Sequence, residues 1–310
     1  MQIIKTEKLT WVDVNAPTEE DVKWLGEKFQ FHPLVRKEIL PPLDYPKIEN
    51  FDDYFFIVLF YPFYNKEICQ NIPLELDIIV AKNYIITFHD KDIVPLRKIF
   101  IKCNLYENIR EKIFKEYTGT LLYSIIQEIL DAYFPKISHI KQNLKEIEEA
   151  IYEKEYKKNT KIATKIALIK RDIISFQQII ELQKIILIKL IEESKKLFSS
   201  ESSESIAPYF NRLVTTHNYV NSILTVHYKT LNALNSTYQS IITNRTNEIV
   251  KILTIFSVII LPASLLINIF GMNTKHLPIV GINGDFWIII GIAAMGILGL
   301  LGFFKMKKWI

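Results

Sequence analysis

Two uninterrupted apolar runs near the C-terminus constrain the fold of this chain more than any other feature of its sequence. They cover residues 252–270 and 286–304, about 19 residues each, close to the ~20 that an α-helix needs to cross the ~30 Å hydrocarbon layer of a bilayer. The tripeptide Gly271-Met272-Asn273 directly follows the first run, and a short loop leads to the second. The sequence therefore predicts a membrane hairpin with this tripeptide at its tip, which is typical of a channel rather than an enzyme.

Lysines indicate the orientation of this hairpin. Lys305, Lys307 and Lys308 directly follow the second run, whereas the loop over 271–285 offers only Lys275 as a cation. Basic residues are enriched on the cytoplasmic side of membrane segments. We therefore expect a multi-pass protein of the cell membrane (inner or plasma membrane), with both termini in the cytoplasm and the loop outside.

The remaining 250 or so residues are soluble in character and indicate an α+β fold. We expect a cytoplasmic α/β domain that is joined through a long-helix stalk to the two C-terminal transmembrane helices. The predicted divisions are a cytoplasmic α/β domain over 1–117, a charged helical hairpin over 118–205, a long stalk and pore helix with the first span over 206–270, an extracytoplasmic loop over 271–285, a second transmembrane helix over 286–304 and a basic cytoplasmic tail over 305–310.

Local patterns predict the main elements. In the first third, β-branched and aromatic residues predict strands at 10–14, 54–60, 76–80 and 84–88, with helices at 17–29, 34–40 and 94–101. The last two strands are predicted to form a β-hairpin around Ala81-Lys82-Asn83. Later residues predict a helix over 119–156 interrupted at Pro135, a turn near Lys157-Lys158-Asn159, a helix over 161–198 and a small polar link over 199–205. From Pro208 to Phe270 the chain has no breaker except Pro262, which predicts one helix of about 95 Å.

Polar and small residues recur every seven positions along the last part of this long helix. One series is Asn247, Thr254, Leu261 and Asn268, and the other is Val250, Ser257, Ser264 and Gly271. Polar side chains at membrane depth face water or protein rather than lipid. We predict a pore lined by several copies of this helix, with Leu253 and Leu261 as hydrophobic constrictions. The alternative is that Ser and Thr bond their own backbone and hold helices together.

The segment Phe270-Gly271-Met272-Asn273 resembles the signature of the CorA family of magnesium channels. Other segments of this sequence are also similar to that family, and the resemblance covers nearly the whole chain. These segments are Thr246-Asn247-Glu248, Lys251-Ile252-Leu253-Thr254, Pro262, His32-Pro33-Leu34-Val35, Ile39-Leu40, Pro46-Lys47-Ile48-Glu49, Pro208-Tyr209-Phe210 and Lys307-Lys308-Trp309.

The resemblance implies a funnel-shaped homopentamer in the bilayer with five long helices around the pore. Gly271, Met272 and Asn273 would form the selectivity filter. Asn273 would form a ring at the outer mouth and bind a hydrated cation through outer-sphere hydrogen bonds, which suits magnesium because Mg²⁺ dehydrates reluctantly. The family's pore positions fall on Asn247, Val250, Leu253, Leu261 and Ser264. The expected partners are divalent cations, with Mg²⁺ as the transported ion, and we expect no organic cofactor and no nucleic acid.

The sequence departs from the family at its acidic positions. The loop after the tripeptide has Asp285 as its only acid, and no Asp or Glu occurs between Glu204 and Glu248. The resemblance places one carboxylate of the family's regulatory metal site on Glu38, but its partner position on Arg212. We expect an ion pair between Glu38 and Arg212 of adjacent subunits, because an Arg fork satisfies a carboxylate without a cation. The alternative is two unrelated surface charges.

Two other functions stay open. The first is a Zn²⁺, Co²⁺ or Ni²⁺ transporter of the same architecture, although the intact Met272 favours magnesium. The second is a membrane-anchored scaffold or sensor that does not conduct. The sequence contains no nucleophile constellation, phosphate-binding loop or ATP motif, so we do not expect an enzyme.

Overall fold

The computed structural model describes residues 1–40, 42–114, 117–152, 159–197, 200–272 and 278–309. The chain forms two compact units, residues 1–235 and residues 236–310. The first unit is α+β and contains one six-stranded sheet, and the second unit is helical. The predicted fold class is therefore confirmed.

The sheet is mixed, with the order β1-β2-β6-β5-β4-β3. Strands β2 and β6 are parallel and the other neighbouring pairs are antiparallel. The predicted hairpin of β5 and β6 is present, but β4 and β5 extend beyond the predicted runs. The strands are β1 (Gln2–Lys5), β2 (Thr10–Asn15), β3 (Lys47–Asn50), β4 (Tyr54–Asn65), β5 (Gln70–Ala81) and β6 (Tyr84–His89).

Two short helices follow β2 and cover one side of the sheet. Helix α1 (Glu19–Lys28) is capped by Thr18, whose hydroxyl accepts from the Asp21 N–H while the Asp21 carboxylate accepts from the Thr18 N–H. This capping box satisfies two N–H groups that a helix start leaves open. Helix α2 (Pro33–Glu38) starts with proline, where a missing N–H costs nothing.

The main core lies between these helices and the sheet. Helices α1 and α2 contribute Val22, Leu25 and Val35, which pack with alternate residues of the strands. Alternate residues of a strand share one face, so a run such as Tyr54, Phe56, Val58 and Phe60 places a continuous apolar surface against the helices. This core fixes helix α2 relative to the sheet.

The described residues of the first unit form six further helices before the long helix. Helices α7 and α8 contact β4, and α5 contacts β5 and β6. The helices are α3 (Val94–Leu105), α4 (Glu107–Ile113), α5 (Thr118–Asp131), α6 (Tyr133–Tyr152), α7 (Asn159–Glu181) and α8 (Gln183–Leu197).

The helical hairpin differs from its prediction in where its helices break. The interruption lies at Ala132, not at Pro135, because Pro135 falls in the first turn of α6, where proline is tolerated. A second break at Leu182 separates α7 from α8, and Gln183 beyond it donates from Nε2 to the Phe60 carbonyl at 2.8 Å. Of the predicted turn at Lys157-Lys158-Asn159, the two lysines lie outside the described residues, and Asn159 begins α7.

The long helix is confirmed and is longer than predicted. Helix α9 runs from Ser200 to Phe270, 71 residues or about 105 Å. The predicted polar link is therefore wrong over 200–205, since Ser and Glu are also residues that helices accept in their first turns. Helix α10 covers Asp285–Met306. Both α9 and α10 contain a segment with a mean hydropathy of 2.4, and both helices are long and apolar enough to cross a membrane.

Candidate functional site

The residues of the predicted pore stripe all lie on one side of α9. On an ideal helix with 100° per residue, the eight positions fall within an arc of about 120°. They belong to one uninterrupted helix, so no loop or break changes their relative direction. The eight positions are Asn247, Val250, Leu253, Thr254, Ser257, Leu261, Ser264 and Asn268.

These side chains are exposed in the single chain, except for Ser257, which is half-buried. The large apolar side chains Leu253 and Leu261 are 64% and 68% exposed, which is costly in water but not in lipid or in a subunit contact. The Thr254 hydroxyl donates to the Val250 carbonyl at 2.8 Å. The alternative interpretation, in which hydroxyls bond their own helix, therefore applies to Thr254.

The tripeptide continues the hydrogen bonding of α9 beyond Phe270. The Gly271 N–H donates to the Ile267 carbonyl at 3.0 Å, and the Met272 N–H donates to the Ile269 carbonyl at 3.3 Å. Met272 is exposed. Asn273, the predicted cation-binding residue of the filter, lies outside the described residues, as do 274–277.

Glu38 and Arg212, the proposed regulatory pair, both lie in the first unit. Glu38 ends α2, and its Oε2 accepts from Lys47 Nζ at 2.5 Å. Lys47 also contacts Glu49 Oε1 at 3.2 Å. Arg212 is exposed on α9. The chain therefore already provides a cation for Glu38, and any contact with Arg212 of another subunit would add to that pair rather than replace it.

A buried polar network that the sequence did not indicate joins β2 and β6 where they run parallel. Thr87 Oγ1 donates to Asp13 Oδ1 at 2.5 Å, and Trp11 Nε1 donates to Thr87 Oγ1 at 3.2 Å. His89 Nε2 lies 3.3 Å from Asp13 Oδ1. Burial alone would lower the pKa of His89, but its bonds to Asp13 and to the Lys91 carbonyl outweigh burial and raise it.

We expect this network to make the stability of the protein depend on pH. Because the folded pKa of His89 is above its unfolded value of 6.5, its stabilising effect is complete below pH 6.5 and is lost as pH rises through the folded pKa. One pKa unit of difference corresponds to ~1.4 kcal/mol. Thermal melts of wild type and His89→Gln between pH 6 and pH 8.5 should differ most at the acidic end. A difference in melting temperature between the two proteins that does not change with pH would contradict this prediction.

No group of three or more His, Cys, Asp or Glu side chains able to hold a metal ion occurs in the described part of the chain. The described site residues thus offer hydroxyl, amide and apolar groups along one helix. Such groups can contact a cation through its water shell but cannot replace that shell with charged ligands.

Comparisons with known proteins agree with this architecture. Residues 6–308 match the family model described as "CorA-like Mg2+ transporter protein". The cobalt/magnesium transport protein CorA of Thermotoga maritima is 27% identical over 306 residues, which cover 97% of this chain and 83% of that protein.

Solved structures share the fold. The complete CorA magnesium transporter of Methanocaldococcus jannaschii superposes with a TM-score of 0.82 at 22% identity, covering 100% of this chain and 95% of that one. The cytoplasmic domain of ZntB from Vibrio parahaemolyticus gives a TM-score of 0.55 at 15% identity, covering 78% and 90%. These likenesses concern the fold alone.

The family match extends over almost the whole chain, through the sheet, the long helix and both apolar helices. Its description is that of a transporter and not of an enzyme, and the two apolar helices fit a membrane location. The chain therefore belongs to the CorA-like Mg²⁺ transporter family, whose members move divalent cations across membranes.

Proposed function

We propose that this protein is a channel that moves hydrated divalent cations, Mg²⁺ first, into the cytoplasm through a homopentameric pore. The observation that carries the proposal is the polar and small-residue stripe on one side of α9, next to the tripeptide. One helix cannot enclose a pore, so the stripe needs several copies around an axis. The membrane potential, negative inside, drives cations inward without ATP.

The proposed topology follows from charge and hydropathy. The lysines after α10 favour a cytoplasmic C-terminus, and two spans then place the N-terminus on the same side. The large α+β unit would lie in the cytoplasm and the loop at 271–285 outside. The proposed divisions of the chain stay as predicted at 117, 205, 270, 285 and 304, although α9 begins at Ser200.

Uptake into proteoliposomes tests the proposal. Purified protein is reconstituted, an inward-negative potential is imposed, and Mg²⁺ entry is followed with an enclosed indicator dye. Competition by Co²⁺, Ni²⁺ and Zn²⁺ then ranks the cations, and native mass spectrometry gives the number of subunits. Preferred entry of Zn²⁺ would favour the alternative carrier. Pentamers that conduct none of these ions would overturn the proposal and favour a scaffold.

The proposed contact between Glu38 and Arg212 of adjacent subunits has its own test. In a double-mutant cycle, Glu38→Gln and Arg212→Gln should be non-additive by at least about 0.5 kcal/mol in the thermal dissociation of the oligomer. The matched cycle with Glu49→Gln, the other carboxylate on Lys47, should be additive with Arg212→Gln. Additivity in both cycles would mean that Glu38 and Arg212 are unrelated surface charges.

A further inference from the structure

A cavity of about 420 Å³ lies in the first unit, between strand β5 and the segment after α2. Its apolar walls include Ile39, Phe60 and Phe88. The cavity is unusual in its charge, because four carboxyl groups and one ammonium group line it, together with one histidine. These residues are Asp44, Glu75, Asp77, Asp90, Lys91 and His89.

Two of the carboxyl groups lie side by side on the sheet. Glu75 and Asp77 are alternate residues of β5 and therefore share one face. Asp77 is 2% exposed and pairs across the sheet with Val58 and Phe88, which are buried and apolar. Burial raises the pKa of both carboxyl groups, and the nearby Glu75 raises that of Asp77 further.

Glu75 and Asp77 lie within hydrogen-bond reach of each other, a bond that needs a proton on one of the two carboxyl groups and that raises the pKa of Asp77. Glu75 Oε2 accepts from the Leu43 N–H at 2.8 Å. Glu75 Oε1 and Asp77 Oδ1 are buried and have no hydrogen-bond partner among the described residues. Lys47, two strands away, binds Glu38 and Glu49. Buried carboxyl oxygens are costly to leave without a partner, so this pair needs either one proton shared between the two groups or a cation that both groups bind.

We infer that Glu75 and Asp77 bind a divalent cation of the Mg²⁺ class, which keeps part of its water shell inside the cavity. Mg²⁺ in proteins is held by one or two carboxylates and retains several waters. Six waters occupy ~180 Å³ in the liquid, which the cavity accommodates. Zn²⁺ fits poorly, because it prefers His and Cys ligands, and His89 is the one residue of these two types among those that line the cavity.

Binding of Mn²⁺, measured by electron paramagnetic resonance on the full-length protein in detergent, tests this site. All variants carry Asn273→Ala, which removes the proposed pore ring, so the result does not depend on transport. One Mn²⁺ per chain, displaced by Mg²⁺, is expected. Asp77→Asn and Glu75→Gln should each weaken its binding at least about tenfold, since even indirect partners of a metal contribute 10–100-fold. Asp52→Asn, at an exposed position outside the cavity, should leave binding unchanged.

Equal Mn²⁺ affinity and stoichiometry in Asp77→Asn, Glu75→Gln and their parent would overturn the inference, and the two carboxyl groups would then share a proton. If the variants do not fold, hydrogen exchange of the unmutated protein decides. Mg²⁺ should slow exchange of the Leu43 amide, because that amide donates to Glu75. Exchange at Leu43 that saturating Mg²⁺ leaves unchanged would equally overturn it.

Discussion

Replacement of Asn273 by alanine is expected to reduce divalent-cation uptake by ~100-fold or more while the oligomer is retained. In the proposed ring, several amide oxygens accept hydrogen bonds from one hydrated cation at once. Each such bond is worth ~1 kcal/mol, and ~1.4 kcal/mol corresponds to a factor of ten. Alanine removes all of them without adding charge. The initial rate of Mg²⁺ entry into proteoliposomes measures the loss.

The loop itself provides a matched control for this change. Asn283→Ala alters a second asparagine between the two spans, at an exposed position next to Gly284, and should leave uptake within about twofold of wild type. Native mass spectrometry on both variants checks that subunit number is unchanged. Normal uptake by an intact Asn273→Ala oligomer would remove Asn273 from the filter and leave the stripe on α9 to select the ion.

Trp11→Ala is expected to lower the free energy of unfolding of the α/β unit by ~3–5 kcal/mol. Trp11 is completely buried, and its ring meets Phe100 edge-on with 4.8 Å between ring centroids. Its indole N–H also donates to Thr87, which belongs to the network of Asp13. The substitution therefore opens a cavity and removes one donor from a buried polar cluster.

Urea unfolding followed by far-ultraviolet circular dichroism measures this effect. Trp11→Phe keeps an aromatic ring beside Phe100 and should lose less than the alanine variant. Trp24→Ala is the control, because Trp24 is 46% exposed and the Lys28 ammonium lies over its ring, 4.5 Å from the centroid. Its cost should stay below about 1 kcal/mol. Equal losses for Trp11→Ala and Trp24→Ala would show that the Trp11 contacts do not stabilise the sheet.

Local sequence predicted those elements whose own residues carry the signal. The hairpin of β5 and β6 has runs of β-branched and other apolar residues on both sides of its turn at Lys82-Asn83, and α1 starts at a capping box. Strand β3 was missed because Lys47-Ile48-Glu49-Asn50 has weak strand propensity, and its pairing with β4 supplies the structure instead. The start of α9 at Ser200 was missed because a polar sequence suits both a linker and a helix start.

The candidate site residues also divide into those that sequence spacing predicts and those that only tertiary contacts bring together. Heptad spacing on a long apolar helix placed seven residues on one side of α9, Leu253 falls within the same arc, and the structure has that helix without a break. The Lys47 partner of Glu38 depends on the approach of β3 to α2, which no short-range pattern encodes. The same holds for Asp13 with His89, 76 residues apart, and for the cavity in front of Glu75 and Asp77. Their chemistry arises from tertiary contact alone.

The seven-residue period of the stripe on α9 also constrains how subunits can be arranged. A straight α-helix has 3.6 residues per turn, so positions seven apart rotate by about 20° per repeat, or about 60° from Asn247 to Asn268. A pattern with this period faces one axis along its whole length only if the helices coil around that axis with a left-handed twist. In the proposed oligomer, the spacing of the polar residues on α9 therefore predicts a left-handed bundle.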